Sequence, residues 1–252
     1  MPDFLVFQLY GAMAAWGDIA VGEHRPSQGH PSKSAIIGLL AAALGIRREE
    51  EEQQQALAQS YGMAVCVQAS GEILRDYHTI QVPGGKRTYA TRRDELLTDS
   101  LNLNTLLSQR DYRMDAVYQV AIWGKTEALP FSLEQLVQAL QQPVFTLYLG
   151  RKSCPLSLPL HAKLIQNSTL QQAFEQYPLN PNTEKIDGFI NPLLPTKRWL
   201  SVYWKDGLTN AELGQLKASM VYPRRDQVRS RSRWQFTNRD EFYAAYTVGE
   251  EQ

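Results

Sequence analysis

Two apolar periods alternate along the first 150 residues, and their order limits the folds open to the chain. Asp3 to Tyr10 alternates around Phe4 and Val6 in a β-rich pattern that ends at Gly11, which reads as a first strand. Ser32 stands at an N-cap position before the small-residue apolar run Ser34 to Leu44, and Gly45 closes it. This spacing predicts a helix, and its apolar character all round predicts burial. Arg48 to Ser60, acidic and rich in glutamine, predicts a second helix with an exposed, solvated face. Met63 to Ala69 reads as another strand, and Ile73 to Ile80 as a further extension of the sheet. Ala116 to Trp123 is a strong strand, Ser132 caps a helix running to Leu140, and Phe145 to Leu149 is again extended.

Strand, helix, strand, then strand, helix, strand is the β-α-β-β-α-β order of a ferredoxin-like (RRM-like) α+β fold. From Val82-Pro83-Gly84-Gly85 to Arg113 the pattern dissolves into basic and polar residues, and a long insertion without an apolar face is functional or disordered. After Leu160 a helix near Ser168 to Tyr177 gives way to a Pro/Asn-rich stretch and the strand Trp199 to Trp204. The end of the chain interleaves charge and ring: Arg231, Arg233, Trp234, Phe236, Arg239, Phe242, Tyr243 and Tyr246.

Several function classes are disfavoured by what these 252 residues lack. No stretch approaches the ~18 consecutive apolar residues of a membrane span. Met1-Pro2-Asp3 runs directly into the alternating segment with no secretory pattern, so a cytoplasmic protein without membrane association is expected. Cys66 and Cys154 lack metal-ligand spacing and read as reduced thiols. His24, His30, His78 and His161 stand apart, with no His-Glu-x-x-His pattern. Phosphate loops, nucleophile elbows and dinucleotide fingerprints are missing as well, so no metal and no cofactor are expected.

Formal net charge is zero, yet the charge is unevenly spread. From Arg224 to Arg239 there are six arginines and one acid, and from Arg75 to Arg93 five basic residues and one acid; the run Glu49-Glu50-Glu51-Glu52 balances them. Basic faces of this kind suit nucleic acid. The segment Arg75-Asp76-Tyr77-His78 holds groups that would serve metal-free RNA cleavage, which needs a base for the 2′-hydroxyl and cations for the phosphorane. The same groups also bind RNA without cutting it, through ring faces and a guanidinium fork. The aromatic signature of an ordinary RNA-recognition module is absent, so binding would depend on loops and insertions.

Gly11 to Gly17 (Gly-Ala-Met-Ala-Ala-Trp-Gly), Arg25-Pro26-Ser27, Pro31 to Leu40, Leu74-Arg75-Asp76-Tyr77-His78-Thr79, Arg110-Asp111-Tyr112 and Tyr148-Leu149-Gly150-Arg151-Lys152-Ser153-Cys154-Pro155-Leu156 follow one another in a specific order. With them the chain resembles the CasD family of type I-E CRISPR Cascade subunits, within the RAMP superfamily. Gln235 to Tyr243 resembles the family's closing segment, whereas about 178–231 matches poorly.

The resemblance implies a RAMP ferredoxin-like domain over 1–160, with a β-hairpin thumb inserted at about 81–112. A small β-rich C-terminal extension, 161–252, would pack on it. It also implies a non-catalytic subunit that binds the 5′ handle of the CRISPR guide RNA. That subunit would contact the Cascade backbone subunit and the large subunit, with target DNA reached through the assembled complex. Because related subunits of another CRISPR type cut RNA, a metal-independent endoribonuclease using His78, Tyr77 and Arg151 or Lys152 is the alternative.

Arg25, Lys33 and Ser34 lead into a helix N-terminus, where free amides, a hydroxyl and two cations suit a phosphate. Gly150 allows close backbone approach beside Arg151, Lys152 and Ser153, with Tyr148 as a stacking face. In the thumb, Lys86, Arg87, Arg92 and Arg93 interleave with Tyr89, a pairing that grips single-stranded RNA. Arg75, Tyr77 and His78 complete the expected RNA-binding set. The arginines from Arg224 to Arg239 are left between two readings, RNA and an acidic partner subunit.

Overall fold

The computed structural model describes residues 1–84, 87–98, 103–179, 193–194, 198–205, 207–230 and 232–248. Its main sheet has seven strands in the order β10-β11-β9-β4-β7-β1-β8. In sequence these are β1 (Phe4–Tyr10), β4 (Tyr61–Ala69), β7 (Val117–Gly124), β8 (Lys163–Ile165), β9 (Arg198–Trp204), β10 (Met220–Ser230) and β11 (Gln235–Val248). Every neighbouring pair is antiparallel. β8 and β9, both beyond residue 160, are thus hydrogen-bonded into the same sheet as β1 and β4.

All seven residues of β1 are buried, because helices cover both faces of the sheet at its centre. Leu5, Phe7 and Leu9 point toward α1 (Lys33–Leu44), α2 (Glu51–Ser60) and α4 (Leu133–Gln141); Phe4 and Val6 point the other way, toward α5 (Leu170–Gln176). The expected helix ends are met. Ser32 Oγ accepts the Ala35 amide, Gly45 ends α1 in the left-handed region at φ 80°, and Ser132 and Gln135 close a reciprocal capping box on α4. α2 departs from a wholly exposed helix: Gln54, Leu57 and Ala58 are buried, while Glu52, Gln53 and Gln59 are exposed.

Two strand expectations fail. Ile73 to Ile80 does not extend the main sheet; it belongs to β5 (Glu72–Pro83), which pairs along its full length with β6 (Leu103–Met114) in a second sheet. β2 (Met13–Ala14) and β3 (His24–Arg25) flank β6 there. The hairpin therefore starts about nine residues before the expected insertion, and α3 (Arg92–Thr98) lies near its tip. The apolar residues of this segment are no sign of a core strand, since Ile73, Leu74, Ile80, Leu106 and Leu107 are exposed on a hairpin that stands away from the core. Phe145 to Leu149 is not a strand either. Within it, Tyr148 forms a lone bridge to Pro155, and β8 takes the sheet edge beside β1.

The β10–β11 hairpin docks on the start of α1 through buried charge. Asp226 Oδ2 accepts the Lys33 amide at 2.7 Å and Arg239 Nη2 at 2.9 Å. Glu241 receives Arg239, Arg224 and the His30 ring. Burial alone would raise the Glu241 carboxyl, but the His30 hydrogen bond and the charges of Arg224 and Arg239 bring it down to about 2. A short α6 (Asn210–Leu213) buries Leu213 beside α5 on the far face. Replacing Arg239 by Met removes the guanidinium that two buried carboxylates share, and urea unfolding is expected to show a loss of about 3–5 kcal/mol.

Candidate nucleic-acid interface

Asp111, on β6, gathers side chains from three segments. Antiparallel pairing sets Arg75 of β5 directly opposite it, and parallel pairing brings β3 to its other side. Its carboxylate accepts Arg75 Nε at 2.9 Å and Arg75 Nη2 at 3.3 Å, and the His24 Nε2 lies 2.9 Å from Oδ2. Arg75 first, and His24 after it, hold this nearly buried carboxyl below the ordinary aspartate range.

Arg151 reaches the same place from a tight turn. Leu149 donates to the Cys154 carbonyl and Ala15 donates to the Leu149 carbonyl. Between them Gly150 sits at φ 86°, where an added Cβ would lie 1.8 Å from the Ala15 carbonyl oxygen. Only glycine fits both the dihedral and the contact. The turn lays the Arg151 guanidinium 4.8 Å over the Tyr112 ring and donates to the backbone carbonyls of Asp111 and Arg25 at 3.4 and 3.2 Å. Arg25 is exposed and donates to the Gly22 and His24 carbonyls. Arg75 thus binds the carboxylate itself, while Arg151 binds the backbone carbonyls of Asp111 and Arg25 above the Tyr112 ring, with half-exposed Tyr148 on the same turn. Such a constellation is net positive and presents N–H forks to an anion.

A groove of about 880 Å³ opens from this point. It runs from Tyr148 and Arg151 along the Ser34, Gly38 and Ala42 face of α1 toward the β10–β11 hairpin.

Comparison with known proteins bears on what this surface is for. Residues 4–240 match the model of a family described as CRISPR-associated protein (Cas_Cas5). The chain belongs to that family. It is 35% identical over 187 residues to the CRISPR system Cascade subunit CasD of Escherichia coli (strain K12), across 70% of this chain and 78% of that protein. Its fold is similar to a chain of a CRISPR RNA-guided surveillance complex, with TM-score 0.64 and 22% identity over 97% of this chain and 90% of that one. A second solved structure, described as a Cas protein, gives TM-score 0.59 and 25% identity over 98% and 95% of the two chains.

Of the expected contact residues, this Cas5-family chain brings Arg25, Arg75, Tyr148, Gly150 and Arg151 together. Lys152 and Ser153 are exposed on the same turn. Lys33 is a correction: it is 2% exposed, and its Nζ donates to the Ala58 carbonyl at 2.7 Å. At the first position of α1 its stem turns inward against the end of α2, so it has no access to a phosphate. Burial foremost, then the charges of Lys205 and Lys125, push its amine down to about 7. Ser34 is half-buried and shares a 3.0 Å hydrogen bond with Ser32.

Strand alternation separates Tyr77 from His78, because successive side chains leave opposite faces. Tyr77 shares the Arg75 face, whereas His78 shares the other with Asp76, its ion-pair partner. Farther out, Arg87 lies 5.7 Å over Tyr89, and Arg92 binds the Gln81 carbonyl and Glu95. Lys86 lies outside the described residues. His24, Asp111 and Tyr112 were missed as site residues; the available signal was the Arg110-Asp111-Tyr112 triplet, whose carboxylate stands in a basic neighbourhood. Among the described residues no cluster of three or more His, Cys, Asp or Glu is placed to hold a metal ion, and no helix is long and apolar enough to cross a membrane.

The Lys33 amine gives the fold a pH signature. It loses its proton near 7 when folded and near 10.5 when unfolded, so between these values the unfolded chain holds more protons. Stability therefore rises with pH across that window. Urea midpoints measured at about pH 7 and about pH 9.5 are expected to increase for the native chain and to stay level for Lys33→Met.

Proposed function

We propose that this Cas5-family chain is a non-catalytic subunit of a type I-E CRISPR Cascade complex that binds and caps the 5′ handle of the guide RNA. The observation that carries the reading is the meeting of Arg25, Arg75 and Arg151 around Asp111, next to the exposed face of Tyr148. The carboxylate orients the Arg75 fork and backbone carbonyls orient Arg25 and Arg151, which leaves further N–H groups for phosphates. Similarity to the Escherichia coli Cascade subunit CasD supports the same assignment. Contacts with the neighbouring backbone subunit and the large subunit fall, on this reading, to the projecting β5–β6 hairpin and the outer strands.

We further read the core as a ferredoxin-like RAMP domain. Supporting this are the all-antiparallel order β4-β7-β1-β8 and the helices α1 and α4, which follow β1 and β7 in sequence. The β5–β6 hairpin is then its thumb.

The endoribonuclease alternative needs a base and cations on one surface. Tyr77 and His78 leave opposite faces of β5, and the His78 imidazole is turned to Asp76 rather than toward Arg151. That dispersal favours binding over cleavage.

Incubation of the purified chain with labelled CRISPR repeat RNA in EDTA is expected to give a shifted complex with the RNA intact. A specific cut abolished by His78→Ala would overturn the non-catalytic reading. Affinity is expected to fall with log salt at about 0.7 per single-strand phosphate neutralised, and Arg151→Gln to lower that slope by less than about one unit regardless of base sequence.

A further inference from the structure

The groove described above ends at a wall that neither the family resemblance nor the Asp111 cluster accounts for. Its far side is the turn of the β10–β11 hairpin, in the stretch whose arginines had no assigned partner. Trp234 lies on that turn, 56% exposed as a residue, and its backbone sits at φ 51°. A bulky residue in the left-handed region is costly, and such positions cluster where a side chain must be presented in a fixed direction.

The turn is braced from behind. Ser232 donates its amide to the Glu51 carboxylate at 3.1 Å, and Gln55 Nε2 donates to the Arg229 carbonyl at 3.4 Å, both from α2. Arg48 places its guanidinium 4.5 Å from the Trp234 ring centroid, and Phe236 lies 6.2 Å away, centroid to centroid. The acidic run of α2 is therefore partly an anchor for this hairpin and not a solvated face alone.

The charge of the groove selects its occupant. Arg48, Arg151, Arg225 and Arg229 line it, together with Arg224, which is spent on Glu241. Of the two acids in the lining, Asp226 is bonded to Arg239, which leaves Asp18. Small residues of α1, Ser34, Gly38 and Ala42, form a floor at helical spacing, so a chain can lie close to the helix. A cationic trough with an aromatic platform at its end is the chemistry of single-stranded nucleic acid, in which guanidinium groups follow the phosphates and a ring takes a base.

We infer that RNA bound at the Asp111 cluster continues along this groove and ends with one unpaired base stacked on Trp234, its phosphates followed by Arg225 and Arg229. This rests on the RNA-binding reading above and extends it to a second contact region, formed by the C-terminal hairpin. Recognition at Trp234 is of a base face, so it tolerates any base but not the lack of one.

The test uses the full chain and an RNA carrying the repeat-derived 5′ handle. Trp234→Ala is expected to weaken binding roughly 5- to 150-fold, the range produced by losing one base–aromatic stack, and Trp234→Phe to restore most of it. In a scan that removes handle bases singly, one abasic position is expected to weaken the native chain while leaving Trp234→Ala unchanged. If Trp234→Ala binds the intact handle as tightly as the native chain while Arg151→Gln does not, the Trp234 platform is refuted and the RNA-binding reading stands. If the native chain fails to bind the handle at all, both fall together.

Discussion

Asp226 ties the two ends of the chain together. Its nearly buried carboxylate accepts the backbone amide of Lys33 and the guanidinium of Arg239. A buried carboxylate without such partners would be costly, so the β10–β11 hairpin has one docking position rather than many. Glu241, Arg224 and His30 extend the same lock, and the His30 ring stacks 3.7 Å from Tyr203 of β9. Once the start of α1 is pinned, so is the segment leading to it, including His24 and Arg25 beside β6. The groove between α1 and the hairpin follows from the same docking.

On that frame, Asp111 does locally what Asp226 does globally. Three arginines from distant parts of the chain would repel one another in the absence of a counter-charge. The nearly buried Asp111 carboxylate holds Arg75, and the backbone carbonyls of Asp111 and Arg25, with the Tyr112 ring beneath, hold Arg151 beside it. The arrangement is organised before any ligand arrives, which lowers the ordering cost of binding an anion. For the proposed guide-RNA handle, this means a fixed phosphate seat beside a hairpin exposed on both faces.

Much of the framework was legible where local chemistry and tertiary burial agree. Ser32 and Gly45 bound α1, Ser132 with Gln135 starts α4, and the β-rich runs of β1 and β7 are central strands. The failures are equally physical. Ile73 and Ile80 bound a segment that looks like a further sheet strand, yet both are exposed on the second sheet's hairpin. Lys33 looked like a loop cation because a sequence shows that a residue is charged, not which way a helix turns it. Arg25, Arg75 and Arg151 were found through an ordered set of motifs, but Asp111, which organises them, depends on pairing between segments 36 and 87 residues apart. The role of Trp234 was still less accessible, since it depends on Arg48 and on bracing by α2, far away in the chain.

Nuclease protection of a complete CRISPR repeat–spacer transcript by the purified chain tests the central claim most directly. The account predicts one protected segment at the 5′ handle, with the spacer digested and the protected RNA uncut. Protection spread evenly over the transcript, or confined to the spacer, would contradict it.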